Sequence, residues 1–246
     1  YMHSFEGYLV NLTMVPHWFG VDYIDGAYWS LGYELHFYIL VWLVLRFGLL
    51  SRLEWLMAGW LLVSAVNAVR PAWPVEFWLA AKWAPFFTAG GLFYLVRTSG
   101  MTRRRLVLLA LSFVLAQVYA GEYGSLRGVA DSVVTVQRMV VGVVITAIFG
   151  VFCLVASGRL RVRASSLAFY AGVLTYPLYL LHENLGFMVY NRLFGATGLV
   201  GVSLASTAVL MVLLSWCVYA GAERRLGPLL LSHLRLPAAK GLQQAT

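Results

Sequence analysis

The sequence predicts an all-α, polytopic integral membrane protein, a bundle of seven transmembrane helices. Three observations carry that expectation. Of the 246 residues, 61% are hydrophobic and only 11% are charged, whereas a soluble domain carries about 25% charged residues. Mean hydropathy is +0.78. The apolar residues are gathered into long runs, and about 20 residues in helix cross a hydrocarbon core of roughly 30 Å. So little polar surface excludes a soluble enzyme, a disordered chain and a secreted disulfide scaffold.

The runs fall near residues 28–48, 53–69, 76–96, 104–121, 138–156, 165–190 and 197–221. They are continuous rather than alternating and too long for barrel strands, so each reads as a helix. Residues 1–27 are polar-aromatic and irregular. They hold no short apolar run behind a basic flank, so they are not a signal peptide. The chain begins with Tyr1, and the sequence reads as a single domain, 1–246, whose start is missing. Residues 232–246 read as a short polar tail. Cys153 and Cys217 lie in apolar runs and are expected as packed core thiols.

Basic residues orient such a bundle. If seven helices alternate, thirteen fall on one side: Arg46, Arg52, Arg97, Arg103 to Arg105, Arg159, Arg161, Arg163, Arg224, Arg225, Arg235 and Lys240. Arg70, Arg127, Arg138 and Arg192 fall on the other, and Lys82 lies within a span. The clustered side is expected in the cytoplasm, which leaves residues 1–27 extracytoplasmic and the tail cytoplasmic. This asymmetry accounts for the net charge of +8 without a nucleic-acid partner.

Ionisable groups at membrane depth are costly and point to function. Glu34 and Lys82 are expected about 9 Å inward from their helix ends, and His182 about 12 Å, at 1.5 Å per residue. That places an acid, a base and an imidazole in one layer, with convergence on a single polar cavity as the expectation. The bland alternatives are a Lys82 stem that reaches out to headgroups, and interhelical hydrogen bonds for Glu34 and His182.

Around Glu34, Ser30 and Tyr38 complete a polar stripe at i, i+4, i+8. Trp29 and Tyr28 suit a membrane interface. His36 falls about 200° around the helix from Glu34 and reads as an interhelical hydrogen bond. In the segment 165–190, Pro177 removes a helical hydrogen bond and predicts a kink or restart. Tyr179, His182, Glu183 and Gly186 are then expected on one face, with Glu183 able to orient the imidazole and Gly186 leaving room beside it. Gly90 and Gly91 read as a site of close helix packing. No metal ligands are expected.

These residues resemble the membrane-bound acyltransferase 3 family, the O-acetylating enzymes of bacterial surface glycans. WSLGYELHFY matches the family signature through Trp29, Ser30, Leu31, Glu34, Phe37 and Tyr38. TYPLYLLH, residues 175–182, resembles the family's Ser/Thr-Tyr-x-Leu-Tyr-Leu-x-His block. The helix through Gly90 and Gly91 to Arg97 and the pair Glu223 and Pro228 are weaker matches. The resemblance spans nearly all of residues 10–230. The family has about ten helices, so it implies an N-terminally truncated stretch without the helices of the family's Arg-and-His pair. His36 stands where the family often has Gln, and Glu183-Asn184 replaces a residue-plus-Pro.

The resemblance implies transfer of an acetyl or other short acyl group from acyl-CoA, expected as acetyl-CoA, to a hydroxyl of a glycan or glycolipid. The setting it implies is the bacterial inner membrane, with membrane lipid as partner and no permanently bound cofactor. It places the general base on the absent helices, with Glu34, Trp29 and His182 shaping and polarising the site; otherwise His182 is the base. The site expected is Glu34 and His182 as catalytic residues. Trp29, Ser30, Tyr38, Lys82, Tyr176 and Tyr179 are expected at the substrate and Arg97 at the CoA phosphates, which arginine binds bidentately. The competing readings are a proton-coupled transporter, with Glu34, Lys82 and His182 as a relay, and a non-catalytic partner in glycan assembly.

Overall fold

The computed structural model describes residues 5–123, 131–160 and 165–233. The described residues are helical and contain no strand. The chain divides into two compact units, residues 1–30 with 163–246, and residues 31–162. Residues 234–246, most of the expected tail, lie outside the described residues, as do Arg127, Arg161 and Arg163.

In the unit 31–162, helix α2 (Trp29–Arg46) enters from its first turn. It is followed by α3 (Leu53–Val69), α4 (Trp73–Leu79), α5 (Ala84–Ser99), α6 (Arg103–Tyr123) and α7 (Asp131–Ala156). Helices α3, α5, α6 and α7 pack together around Leu61, Leu92 and Ala116, all fully buried. Phe93 meets Phe149 edge-on at 5.8 Å and stacks on Phe152 at 5.6 Å. Polar groups in this core are tied down, as burial requires. The Tyr119 hydroxyl donates to the Ser64 carbonyl at 2.7 Å, and Asn67 Oδ1 accepts from the Ala72 N–H at 3.0 Å.

The expected continuous helix over 76–96 is broken at residues 80–83, between α4 and α5. Pro74 and Pro85 start the two helices, where a missing N–H costs nothing. Ala80 adopts φ 46°. The carbonyls freed by the break find partners: Leu79 accepts from Trp60 Nε1 at 2.7 Å and Ala81 from the Ser64 hydroxyl at 2.7 Å. The Ala80 carbonyl accepts from the Trp83 and Ala84 N–H groups. A break at membrane depth is tolerated where protein satisfies the backbone in this way.

The other unit holds α1 (Phe5–Asn11), a 3₁₀ turn at Gly26–Tyr28, α8 (Ser166–Leu181), α9 (Asn184–Thr197) and α10 (Val200–Val218). A π-helical turn, Tyr219–Glu223, leads into α11 (Arg224–His233). Helix α10 packs against α8 and α9. Its buried stripe is Ser203, Thr207, Met211 and Ser215, four apart and therefore on one face. The three hydroxyls donate to carbonyls one turn back in their own helix, so small polar residues allow close approach without orphaned groups.

Four stretches of the described residues are long and apolar enough to cross a membrane: Leu49–Val69, Trp73–Ser99, Val134–Ala156 and Val200–Gly227. They coincide with four of the expected spans. Helix α8 is apolar but only 16 residues long. Of the kink or restart expected at Pro177, the restart does not occur there: the helix runs on to Leu181. The break comes at His182 and Glu183, where Glu183 turns out of helical geometry at ψ −85°. Tyr179 and Gly186 therefore belong to different helices and do not share one continuous face. Cys153 and Cys217 are exposed rather than packed in the core; a thiol behaves as a small apolar group and suits a lipid-facing surface.

Candidate functional site

The two sequence blocks singled out above meet in one corner, built from residues 24–30 and 179–184. Asp25 is the cap residue of the 3₁₀ turn: extended at φ −125°, it accepts the Ala27 N–H on Oδ1 at 2.9 Å. Its second carboxylate oxygen accepts the Asn184 N–H at 3.1 Å. One buried carboxylate thus caps both the turn and the first N–H of α9, where the helix dipole favours negative charge. Asn184 returns a bond, Nδ2 donating to the Ile24 carbonyl at 2.9 Å.

The last turn of α8 has carbonyls with no helical partner, and the corner supplies donors. Leu178 accepts from the His182 N–H at 3.0 Å and Tyr179 from His182 Nδ1 at 2.7 Å. The Leu180 carbonyl accepts from the Tyr28 hydroxyl at 3.4 Å. The Tyr179 hydroxyl donates to the Ala27 carbonyl. With its only proton so used, it accepts from the Ser30 hydroxyl at 2.7 Å. Ser30 and Tyr179, from the first and second blocks, are therefore brought together.

His182 is exposed, and its ring lies 5.6 Å from that of Tyr179. A carbonyl only accepts, so Nδ1 carries the hydrogen of the bond to Tyr179. In the neutral ring this leaves the lone pair on Nε2, and the imidazole can accept a proton there. Glu183 does not orient the imidazole by a bond the structure records; its carboxylate lies over Gly26. A Cβ at Gly26 would stand 2.9 Å from Glu183 Cδ, so a glycine admits the carboxylate here. Gly186 faces Met211, 4.0 Å from where its Cβ would be, and not the imidazole.

Elsewhere on the expected site, Glu34 and Tyr38 are exposed on α2, whereas Leu31, Gly32 and His36 of the same helix are buried. Trp29, Tyr176 and Arg97 are also exposed. His36 donates from Nδ1 to the Gly32 carbonyl of its own helix at 2.7 Å and stands edge-on to Phe77. Lys82 sits in the break between α4 and α5, paired with Glu76 at 3.2 Å. The Arg97 guanidinium lies against the turn at Gly158, 3.0 Å from where a Cβ would stand. Of the two glycines, Gly91 is closely approached by Met57 while Gly90 meets nothing within 4 Å.

Asp25, Gly26 and Asn184 escaped sequence reasoning as members of the corner. The Asp25-Gly26 pair is a turn and cap signature, and it was the available signal.

A family model, described as an acyltransferase domain of the acyltransferase 3 type, matches residues 1–220. No curated protein matches the chain, and no solved structure matches it.

Proposed function

Since this chain belongs to the acyltransferase 3 family, we propose that it transfers an acetyl or other short acyl group from acyl-CoA to a hydroxyl of a cell-surface or secreted glycan. The observation that carries the reading is the Ser30–Tyr179 hydrogen bond, which joins the two blocks most like the family's and sets His182 beside them. The acceptor hydroxyl attacks the thioester carbonyl, the C–S bond breaks as the ester C–O bond forms, and the CoA thiolate leaves, taking up the proton that the base removed. His182 accepts the hydroxyl proton on Nε2 as general base, a role worth about 10²–10⁴ in rate. On the family resemblance, Glu34 is proposed as the second catalytic residue and Trp29, Ser30, Tyr38, Lys82, Tyr176 and Tyr179 as substrate residues. Arg97 takes the CoA phosphates.

The proposed setting is the bacterial inner membrane, with seven spans. Arg46, Arg97 and Arg103 to Arg105 lie on the cytoplasmic side and residues 1–27 outside. Membranes carrying the protein should move label from acetyl-CoA into glycan with wild-type Glu34 and not with Glu34→Gln. Solute uptake without labelled glycan would support a proton-coupled transporter instead.

A further inference from the structure

We propose that the unit 31–162 holds a binding site for an anionic glycerophospholipid, beyond the acyl-transfer reading and independent of it. An apolar groove of about 460 Å³ runs between α2, α3 and α5, within the size range of ligand sites. On α2 its wall extends from Phe37 to Leu45, eight residues or about 12 Å at 1.5 Å per residue. Three near-parallel rings belong to its lining: Phe37 stacks on Phe87 at 4.4 Å, and Trp60 lies 6.1 Å from Phe87. Thr88, also in the lining, is 1% exposed, and its hydroxyl has no hydrogen-bond partner among the described residues.

A second, polar cavity of about 440 Å³ shares Leu50, Leu53 and Gly91 with the groove, so the two are contiguous. Its charged lining is Glu54, Arg104 and Arg105. Arg105 is committed to the fold: its guanidinium holds Glu54 at 2.8 Å and the Leu95 carbonyl at 3.0 Å. Among the described residues Arg104 makes a 3.5 Å ion pair with Glu54 and lies over the Trp55 ring at 4.4 Å, and it keeps half its side chain exposed. The bay therefore carries one cation in excess. An apolar trough that ends in a cation matches an acyl chain joined to a phosphate headgroup.

Native mass spectrometry of the purified full chain tests this, using dioleoyl phosphatidylglycerol against dioleoyl phosphatidylcholine. The wild type should prefer the anionic lipid by about fivefold, the effect of one basic side chain on an anionic lipid. Arg104→Gln should abolish the preference, Arg104→Lys should keep it, and Arg103→Gln, outside the bay, should leave it unchanged. Leu56→Trp, which fills the groove from a partly exposed position, should weaken both lipids. Glycerol phosphate without acyl chains should not compete. Equal binding of the two lipids, an equal loss in Arg103→Gln and Arg104→Gln, competition by glycerol phosphate, or a protein dimer that excludes lipid would each overturn the proposal.

Discussion

The Ser30 hydroxyl donates to the Tyr179 hydroxyl at 2.7 Å, and the Tyr179 hydroxyl donates in turn to the Ala27 carbonyl. Residues 149 apart in sequence are thereby fixed in one hydrogen-bonded chain. Such a chain cannot lose one member without idling the next. Ser30→Ala and Tyr179→Phe should each lower stability by about 0.6 kcal/mol, the usual size for hydrogen bonds between membrane helices. The double variant should lose less than their sum. Full additivity in a double-mutant cycle would show that the bond does not couple the two residues.

Asp25 makes a second prediction. Its two carboxylate oxygens hold Ala27 and Asn184 separately. Asp25→Asn retains one acceptor and turns the other into a donor facing an N–H. It should lose about 1 kcal/mol in unfolding experiments, the size of a lost cap, and Asp25→Ala should lose more. Equal stability of Asp25→Ala and wild type would remove the capping role.

Gly26 and Glu183 give a third. A side chain at position 26 must displace the Glu183 carboxylate, which is the far end of a flexible side chain. Gly26→Ala should therefore fold with a melting temperature near that of the wild type. Its acyl transfer should equal that of Glu183→Gln, because both variants lose the carboxylate from its place. Wild-type transfer in one variant and not in the other would contradict the pairing.

Arg105 provides a structural counterpart. One planar guanidinium serves Glu54 and two backbone carbonyls, those of Leu95 and Gly100, a set a lysine ammonium cannot match in geometry. Arg105→Lys should lower stability by about 1–3 kcal/mol, measured by thermal unfolding, whereas Arg103→Lys should be neutral.

The helical class and four membrane-crossing stretches were legible in the sequence because length and hydrophobicity alone decide them. Both motifs that hold Ser30 and Tyr179 were legible, but their hydrogen bond was not, because residues 149 apart meet only through the fold. The breaks were not legible in the same way. Pro177 signalled a kink or restart, and the chain breaks only at His182 and Glu183, where donors for the loose carbonyls of Tyr179 and Leu180 come from His182 and Tyr28. The interruption at Ala80 carries no glycine and depends on Trp60 and Ser64, residues of another helix. Likewise Lys82 lies within an apolar run, yet its ion partner Glu76 is supplied by the fold around the break. Periodicity reports how a helix faces its neighbours, not which neighbour satisfies a backbone group.

The most direct measurement of the central claim is single-turnover acyl transfer from labelled acetyl-CoA to glycan by His182→Gln beside the wild type, with both proteins shown to fold. If Nε2 of His182 accepts the hydroxyl proton, the rate should fall by at least about a hundredfold, with the acyl-CoA concentration dependence unchanged. A His182→Gln protein that transfers label at the wild-type rate would contradict it.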